Sequence, residues 1–244
     1  MAKFADWISD IKYETVHGDA SVPEVHEVVF DSRKAVEGTV FNAMKGANVD
    51  AHRFIPAVIA QGCQAIVIEE DPSEFGLDLA TVPDEVAIIR VENARASLAA
   101  LSAARFGHPS REMTVIAITG TKGKSTTAYY MRAIINEYMR TTGGNDVAII
   151  SSIDTYDGIV EKESHLTTPE AIDLFRHFDN AVRSDIRYLI MEVSSQALKY
   201  GRVTGINFDV ACFNNIGTDH ISPIEHPDFE DYYKSKLKIF DTCK

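Results

Sequence analysis

The sequence predicts an α/β protein in two parts. A small N-terminal α/β domain is followed by a P-loop ATPase-like domain on a mostly parallel sheet, the latter expected to be incomplete. Three observations carry this. Short apolar runs of strand length alternate with helical segments through the 244 residues, the order that yields parallel sheets covered on both faces. A break at Gly107-His108-Pro109-Ser110 separates two such series. Just beyond it, residues 115–127 read as a buried strand, a tight glycine turn and the first turn of a helix.

In the first series, Val28-Val29-Phe30 and Val40-Phe41 are short strand candidates, and Ala65-Ile66-Val67-Ile68 and Val86-Ala87-Ile88-Ile89 are stronger ones. Phe54, Ala57, Val58 and Ala60 fall near helical spacing. Residues 93–106 are rich in alanine and leucine, good helix formers. The break places the domains at 1–108 and 109–244. In the second series a helix is expected over 125–139, closed by Gly143-Gly144, then a strand at Val147-Ala148-Ile149-Ile150. Pro169 suits a first helical turn, and Ala171, Leu174, Phe175 and Phe178 give that helix an apolar face. Strands follow at Tyr188-Leu189-Ile190-Met191 and Val210-Ala211-Cys212-Phe213, with a last helix over 229–240. About four strands are few for a P-loop sheet, so the chain is expected to stop inside this domain.

Composition narrows the class. A hydrophobic fraction of 45% and a charged fraction of 25% are those of a soluble globular protein. No apolar run has bilayer-spanning length, and Met1-Ala2-Lys3-Phe4-Ala5-Asp6-Trp7 meets an acid too early for a signal peptide. Cys63, Cys212 and Cys243 are odd in number and far apart, which suits free thiols in a reducing cytoplasm. The net charge of −12, from 24 basic and 36 acidic residues, argues against nucleic acid as a partner. A polyanionic nucleotide bound to such a chain needs local cations and a metal.

The glycine turn supplies them. Its layout aims successive backbone N–H groups at one point, where a phosphate can sit. Lys124 adds a mobile positive charge, and the Ser125 hydroxyl is placed for magnesium. The general spacing G-x-x-x-x-G-K-[ST] fails, because Ile118 stands five before Gly123. The turn is the shorter G-T-x-G-K-[ST], and Gly120, Thr121, Lys122, Gly123, Lys124, Ser125 and Thr126 are its candidate ATP-binding residues. Glu192, ending an apolar strand, can hold magnesium directly or through water, or simply be a strand-end acid. His220, after the next strand, is a less usual magnesium ligand and can equally be a surface or capping histidine. Thr167-Thr168-Pro169-Glu170 reads as a helix N-cap. Lys236, between Lys234 and Lys238, reads by default as part of a solvated basic face.

These segments together resemble the Mur ligases of peptidoglycan synthesis, most closely the UDP-N-acetylmuramoyl-tripeptide synthetases. The resemblance runs through Asp31-Ser32-Arg33, the turn at residues 119–125, Thr167-Thr168-Pro169, Met191-Glu192-Val193-Ser194-Ser195, Asp219-His220 and Tyr232-Tyr233-Lys234-Ser235-Lys236. It implies an ATP- and magnesium-dependent ligase of cell-wall biogenesis. Such an enzyme adds the third amino acid to UDP-N-acetylmuramoyl-L-alanyl-D-glutamate through an acyl phosphate, in the cytoplasm and without membrane or nucleic acid. By the same resemblance Lys124, Lys236 and His220 are catalytic, with Lys236 carbamylated. Ser125, Glu192 and His220 hold metal. Thr167, Thr168, Ser194 and Arg202 hold the muramoyl substrate, and Ser32 and Asn48 lie near the uridine. Three positions depart from the family pattern: Gln196 replaces a histidine common after Ser-Ser, Tyr200 a glutamine, and Ala51 the glycine of Asp-Gly-His. The family's C-terminal domain, which binds the incoming amino acid, is not in this sequence, so the isolated chain is expected to show little or no ligase activity.

Other readings are a related ligase such as a folylpolyglutamate synthetase, a non-catalytic nucleotide-binding module, or a kinase-like phosphotransferase. Asp31-Ser32-Arg33 and the threonine pair suit a UDP-sugar peptide better than folate. Retention of Lys124, Glu192, His220 and Lys236 together argues against a non-catalytic module, and no Asp-rich Walker-B strand end supports the kinase.

Overall fold

Helix-favouring alanines carry the chain to Arg105, which then turns through Gly107 (φ 69°) and His108 (φ 58°) before any new element begins. In the computed structural model, which describes residues 1–46, 49–222 and 225–243, this turn follows the division between two units, Met1–Arg105 and Phe106–Lys244.

The first unit contains β1 (Ala2–Lys3), α1 (Phe4–Trp7), β2 (Tyr13–His17), β3 (Glu24–Val25), β4 (Glu27–Val29), β5 (Thr39–Asn42), α2 (Ile55–Ala60), β6 (Ala65–Ile68), β7 (Ala87–Val91) and α3 (Ala94–Arg105). Its main sheet has the order β2-β7-β6-β5-β4, parallel except for the antiparallel edge strand β2. The apolar runs read from the sequence are its interior: Phe41, Ile66, Ile68 and Ile88 pack with Ile55 and Val58 of α2, all wholly buried. Burying each such side chain contributes roughly 1.5–3 kcal/mol. Strand β2 carries no apolar run, because an edge strand faces solvent.

The second unit contains β8 (Thr114–Thr119), α4 (Lys124–Thr142), β9 (Ala148–Ile150), β10 (Asp154–Tyr156), β11 (Glu161–Glu163), α5 (Ala171–Arg183), β12 (Tyr188–Glu192), α6 (Ser195–Lys199), β13 (Val210–Phe213) and α7 (Phe229–Leu237). The sheet order is β11-β10-β9-β12-β8-β13. Strands β9, β12, β8 and β13 are parallel, and β10–β11 is an antiparallel hairpin added at one edge. Central β8 is buried from Val115 onward, as its run of β-branched residues requires. Because β8 lies between β12 and β13, the carboxyl ends of these three strands converge where ligands bind in open α/β sheets. Among the described residues, no helix is long and apolar enough to cross a membrane.

Candidate active site

The glycine turn leaves β8 at Gly120, whose φ of 147° strongly favours glycine. A Cβ there would lie 3.1 Å from Asn214 Cβ and 3.3 Å from the Asn215 backbone. The turn rests on the segment after β13. The Asn215 side chain accepts from the Lys122 N–H (3.0 Å) and donates to the Lys122 carbonyl (2.9 Å), while the Thr121 N–H donates to the Asn215 carbonyl (3.1 Å). Thr121 Oγ1 accepts the Gly217 N–H (3.0 Å) and meets the Tyr232 hydroxyl at 3.0 Å. Gly123 (φ 78°) then starts α4, with Ser125 half-buried and Thr126 exposed on its first turn.

Two amines meet at this turn. Lys124 Nζ and Lys236 Nζ each donate to the Gly120 carbonyl at 3.0 Å. Lys236 comes from α7, is 2% exposed, and lies 4.7 Å from the centre of the Tyr232 ring. Burial first, and the Lys124 charge second, push its pKa down to about 8. The solvated basic face expected by default is therefore corrected: Lys234 pairs with Glu230 on the surface at 3.1 Å, whereas Lys236 points into the unit.

Glu192 ends β12 with no exposed surface. Its Oε1 accepts from the Ser152 N–H (3.0 Å) and Oγ (3.2 Å), and Ser152 Oγ lies 3.0 Å from Ser125 Oγ. Its Oε2 is buried without a hydrogen-bond partner among the described residues. A buried carboxylate oxygen left bare is costly unless a cation meets it. Oxygen donors from Ser125 and Glu192 form a hard set that fits magnesium.

A cavity of about 210 Å³ brings Lys124, Lys236, His220, Thr167, Ser194 and Arg202 to one place. Thr168 also borders it, but its hydroxyl works within the chain, donating to the Glu192 carbonyl and accepting the Ser194 N–H, both at 3.0 Å. Ser194 caps α6 by accepting the Ala197 N–H at 3.1 Å. Arg202 pairs with Glu170 at 2.7 Å and keeps a buried Nε without a hydrogen-bond partner among the described residues. Ser32 belongs to the first unit, where it borders a cavity of about 360 Å³ with Asp31, Arg33 and Arg95. There the Arg33 side chain, hydrogen-bonded to Asp31, holds that carboxyl at about 2. Asn48 lies outside the described residues.

Sequence reasoning gave no role to several residues that build this site. Asn214 and Asn215 follow β13 directly, and polar residues closing an apolar strand were the available signal. Ser152 stands in the same position after β9. Tyr232, wholly buried, touches the turn through its hydroxyl and Lys236 through its ring. His226 is also wholly buried, with Nδ1 2.6 Å from Asp231 and Nε2 2.9 Å from Ser195. Lys199 reaches the same Asp231 oxygen at 2.8 Å, and its hydrogen bond leads in lowering the Asp231 pKa. This chain of contacts clamps α6 to α7, so that Ser194 and Lys236 face one cavity.

Comparison with known proteins gives consistent relatives. The Mur ligase middle-domain model matches residues 118–244, and the model described as Mur ligase family, catalytic domain matches residues 24–106. A UDP-N-acetylmuramyl-tripeptide synthetase of Bifidobacterium longum is 42% identical over 218 residues, covering 89% of this chain and 39% of the relative. A UDP-N-acetylmuramoyl-L-alanyl-D-glutamate–L-lysine ligase of Streptococcus pneumoniae is 40% identical, covering 89% of this chain and 42% of its own length. A solved UDP-N-acetylmuramoyl-L-alanyl-D-glutamate–2,6-diaminopimelate ligase superposes with a TM-score of 0.74 at 21% identity, covering 100% of this chain and 46% of that one. The chain thus spans less than half the length of these relatives.

Proposed function

The chain belongs to the Mur ligase family, the middle-domain match alone covering residues 118–244, and from that premise we propose that it acts in ATP-dependent carboxylate–amine ligation of a peptidoglycan precursor. The step we assign is addition of the third amino acid to UDP-N-acetylmuramoyl-L-alanyl-D-glutamate, the substrate in the names of the lysine- and diaminopimelate-adding relatives. The observation that supports it best is the meeting of Lys124 and Lys236 on one carbonyl, on the cavity that His220 and Arg202 also border.

The chemistry follows from a carboxylate's poor reactivity as an acyl donor. The ATP phosphates bind at the start of α4, where Lys124 turns from the Gly120 carbonyl to the β- and γ-phosphates. Arg202, Thr167 and Ser194 hold the muramoyl substrate so that its glutamyl carboxylate meets the γ-phosphorus. A carboxylate O–P bond forms as the bond to ADP breaks, giving an acyl phosphate. The incoming amine adds to the carbonyl carbon, loses a proton, and the tetrahedral intermediate expels phosphate. Positioning and charge neutralisation do most of this work. Ser125, Glu192 and His220 are the residues that would hold magnesium, which when bound neutralises charge on the phosphates.

Lys236 takes a second role. A neutral amine adds to carbon dioxide, forming an N–C bond and releasing a proton to leave a carbamate anion. A lysine held near 8 reaches the neutral form far more readily than an ordinary one. The product would turn repulsion from Lys124 into attraction.

Thermal stability tests the assignment. UDP-N-acetylmuramoyl-L-alanyl-D-glutamate with Mg-ATP should raise the melting temperature by several degrees, about 2.7 kcal/mol at a hundredfold excess over Kd. Folate should leave it unchanged. Stabilisation by folate and not by the UDP-linked dipeptide would overturn the assignment.

A further inference from the structure

We propose that Glu225, braced by Gln196, is a positioning residue that fixes the His220 imidazole in the tautomer able to bind metal. The inference rests on the reading of His220 as a metal ligand and assigns a device that presents it. Glu225 Oε1 lies 3.2 Å from His220 Nδ1. A carboxylate has no proton to give, so Nδ1 carries the hydrogen and donates. The ring's lone pair is then left on Nε2, the arrangement in which a carboxylate behind a histidine orients it toward a metal.

Glu225 is itself held. The same Oε1 accepts from Gln196 Nε2 at 3.3 Å, its backbone N–H donates to Ser222 Oγ at 3.2 Å, and its carbonyl accepts from Lys199 Nζ at 3.1 Å. Gln196 and Lys199 both lie on α6, so one short helix secures the carboxylate at side chain and backbone. The histidine is fixed at its other end as well. His220 has a left-handed backbone (φ 57°), and its N–H donates to Asp219 Oδ1 at 2.9 Å. A non-glycine residue in that region is strained and persists only where its surroundings determine it. His220, Gln196 and Glu225 border the same cavity as Lys124 and Lys236.

An amide at 196 suits this environment better than an imidazole would. A histidine donates from a given nitrogen in only one of its neutral tautomers, whereas an amide NH2 always donates. A carboxylate at 225 therefore keeps its donor partner whatever the protonation state of nearby rings.

The test uses protein labelled with 15N in histidine. Long-range 1H–15N spectra of the metal-free protein report the His220 tautomer, and titration with Mn2+ alone reports metal binding by paramagnetic broadening of the His220 signal. Wild type should show Nδ1–H. Glu225→Ala should move His220 toward Nε2–H and weaken Mn2+ binding about 10- to 100-fold, with an unchanged far-UV spectrum. Glu225→Gln, which keeps an acceptor oxygen, should retain most of the affinity, and Gln196→Ala should fall between the two. An Nε2–H signal in wild type, or an unchanged tautomer and affinity in Glu225→Ala, overturns the inference. Should His220→Gln bind Mn2+ as wild type does, followed for that variant by the enhancement of water-proton relaxation that bound Mn2+ gives, the metal-ligand reading falls and takes this inference with it. Weak binding by His220→Gln alongside normal binding by Glu225→Ala removes the inference alone.

Discussion

Replacing Lys236 with methionine should make the protein more stable at neutral pH, contrary to what loss of a wholly internal hydrogen bond suggests. Methionine keeps the unbranched stem that fills the space beside Tyr232 and removes only the charge. The amine's pKa falls from 10.5 to about 8 on folding, mainly through burial and secondarily through Lys124. A shift of about 2.5 units is worth roughly 3 kcal/mol. Below pH 8 both folded and unfolded chains carry the proton, so the whole cost of burying the ammonium is present. Between 8 and 10.5 the unfolded chain holds more protons than the folded one, and wild-type stability rises with pH relative to the variant. Losing the bond to the Gly120 carbonyl offsets about 1 kcal/mol. Lys236→Met should therefore gain roughly 2 kcal/mol at pH 7, and that advantage should shrink steadily toward pH 10. Urea denaturation of both proteins in carbon dioxide-free buffer measures the difference, in which other titrating groups cancel. Added bicarbonate should stabilise wild type only, with a carbamate carbon visible by 13C NMR. A variant that is less stable at pH 7, or whose difference does not change with pH, would refute the reasoning.

Other outcomes follow from the same geometry. Gly120→Ala should lose more than about tenfold in Mg-nucleotide affinity, because a side chain at φ 147° meets Asn214 and Asn215; a fluorescent nucleotide titration measures it. Ser152→Ala should weaken nucleotide binding in magnesium about three- to tenfold, the worth of roughly one hydrogen bond, and have no effect in EDTA. The carboxyl of Asp157 would be pushed up by burial, but His177 (2.6 Å), the Val160 N–H (2.6 Å), Asn180 (2.9 Å) and the Ile159 N–H (2.9 Å) together hold it below its usual value. Its contribution should be complete above about pH 4 and lost as pH falls through the lowered folded value. Asp157→Asn should cost roughly 3 kcal/mol at pH 7 by urea denaturation, with a smaller difference at pH 3.

What was legible in the sequence is what the chain builds locally. The glycine turn that we propose holds phosphate could be read because its N–H groups, its lysine and its serine come from seven consecutive residues at one strand–helix junction. Strands β8 and β12 could be read because central parallel strands must be apolar on both faces. The β10–β11 hairpin could not. Asp154–Tyr156 and Glu161–Glu163 hold no apolar run, and the hairpin is secured by Asp157 reaching His177 and Asn180 of α5, about twenty positions away. The same distinction divides the site. Lys236 has no local signal, since its neighbours Lys234 and Lys238 make it resemble a surface lysine, and only family resemblance singled it out. The role proposed for it draws on a contact 116 positions away, on the Gly120 carbonyl that Lys124 already occupies. Two like charges on one buried acceptor form a poor structural pair, because each raises the cost of the other. An arrangement that is costly for the fold and stops being costly when one amine becomes an anion is more readily explained by chemistry at Lys236 than by packing.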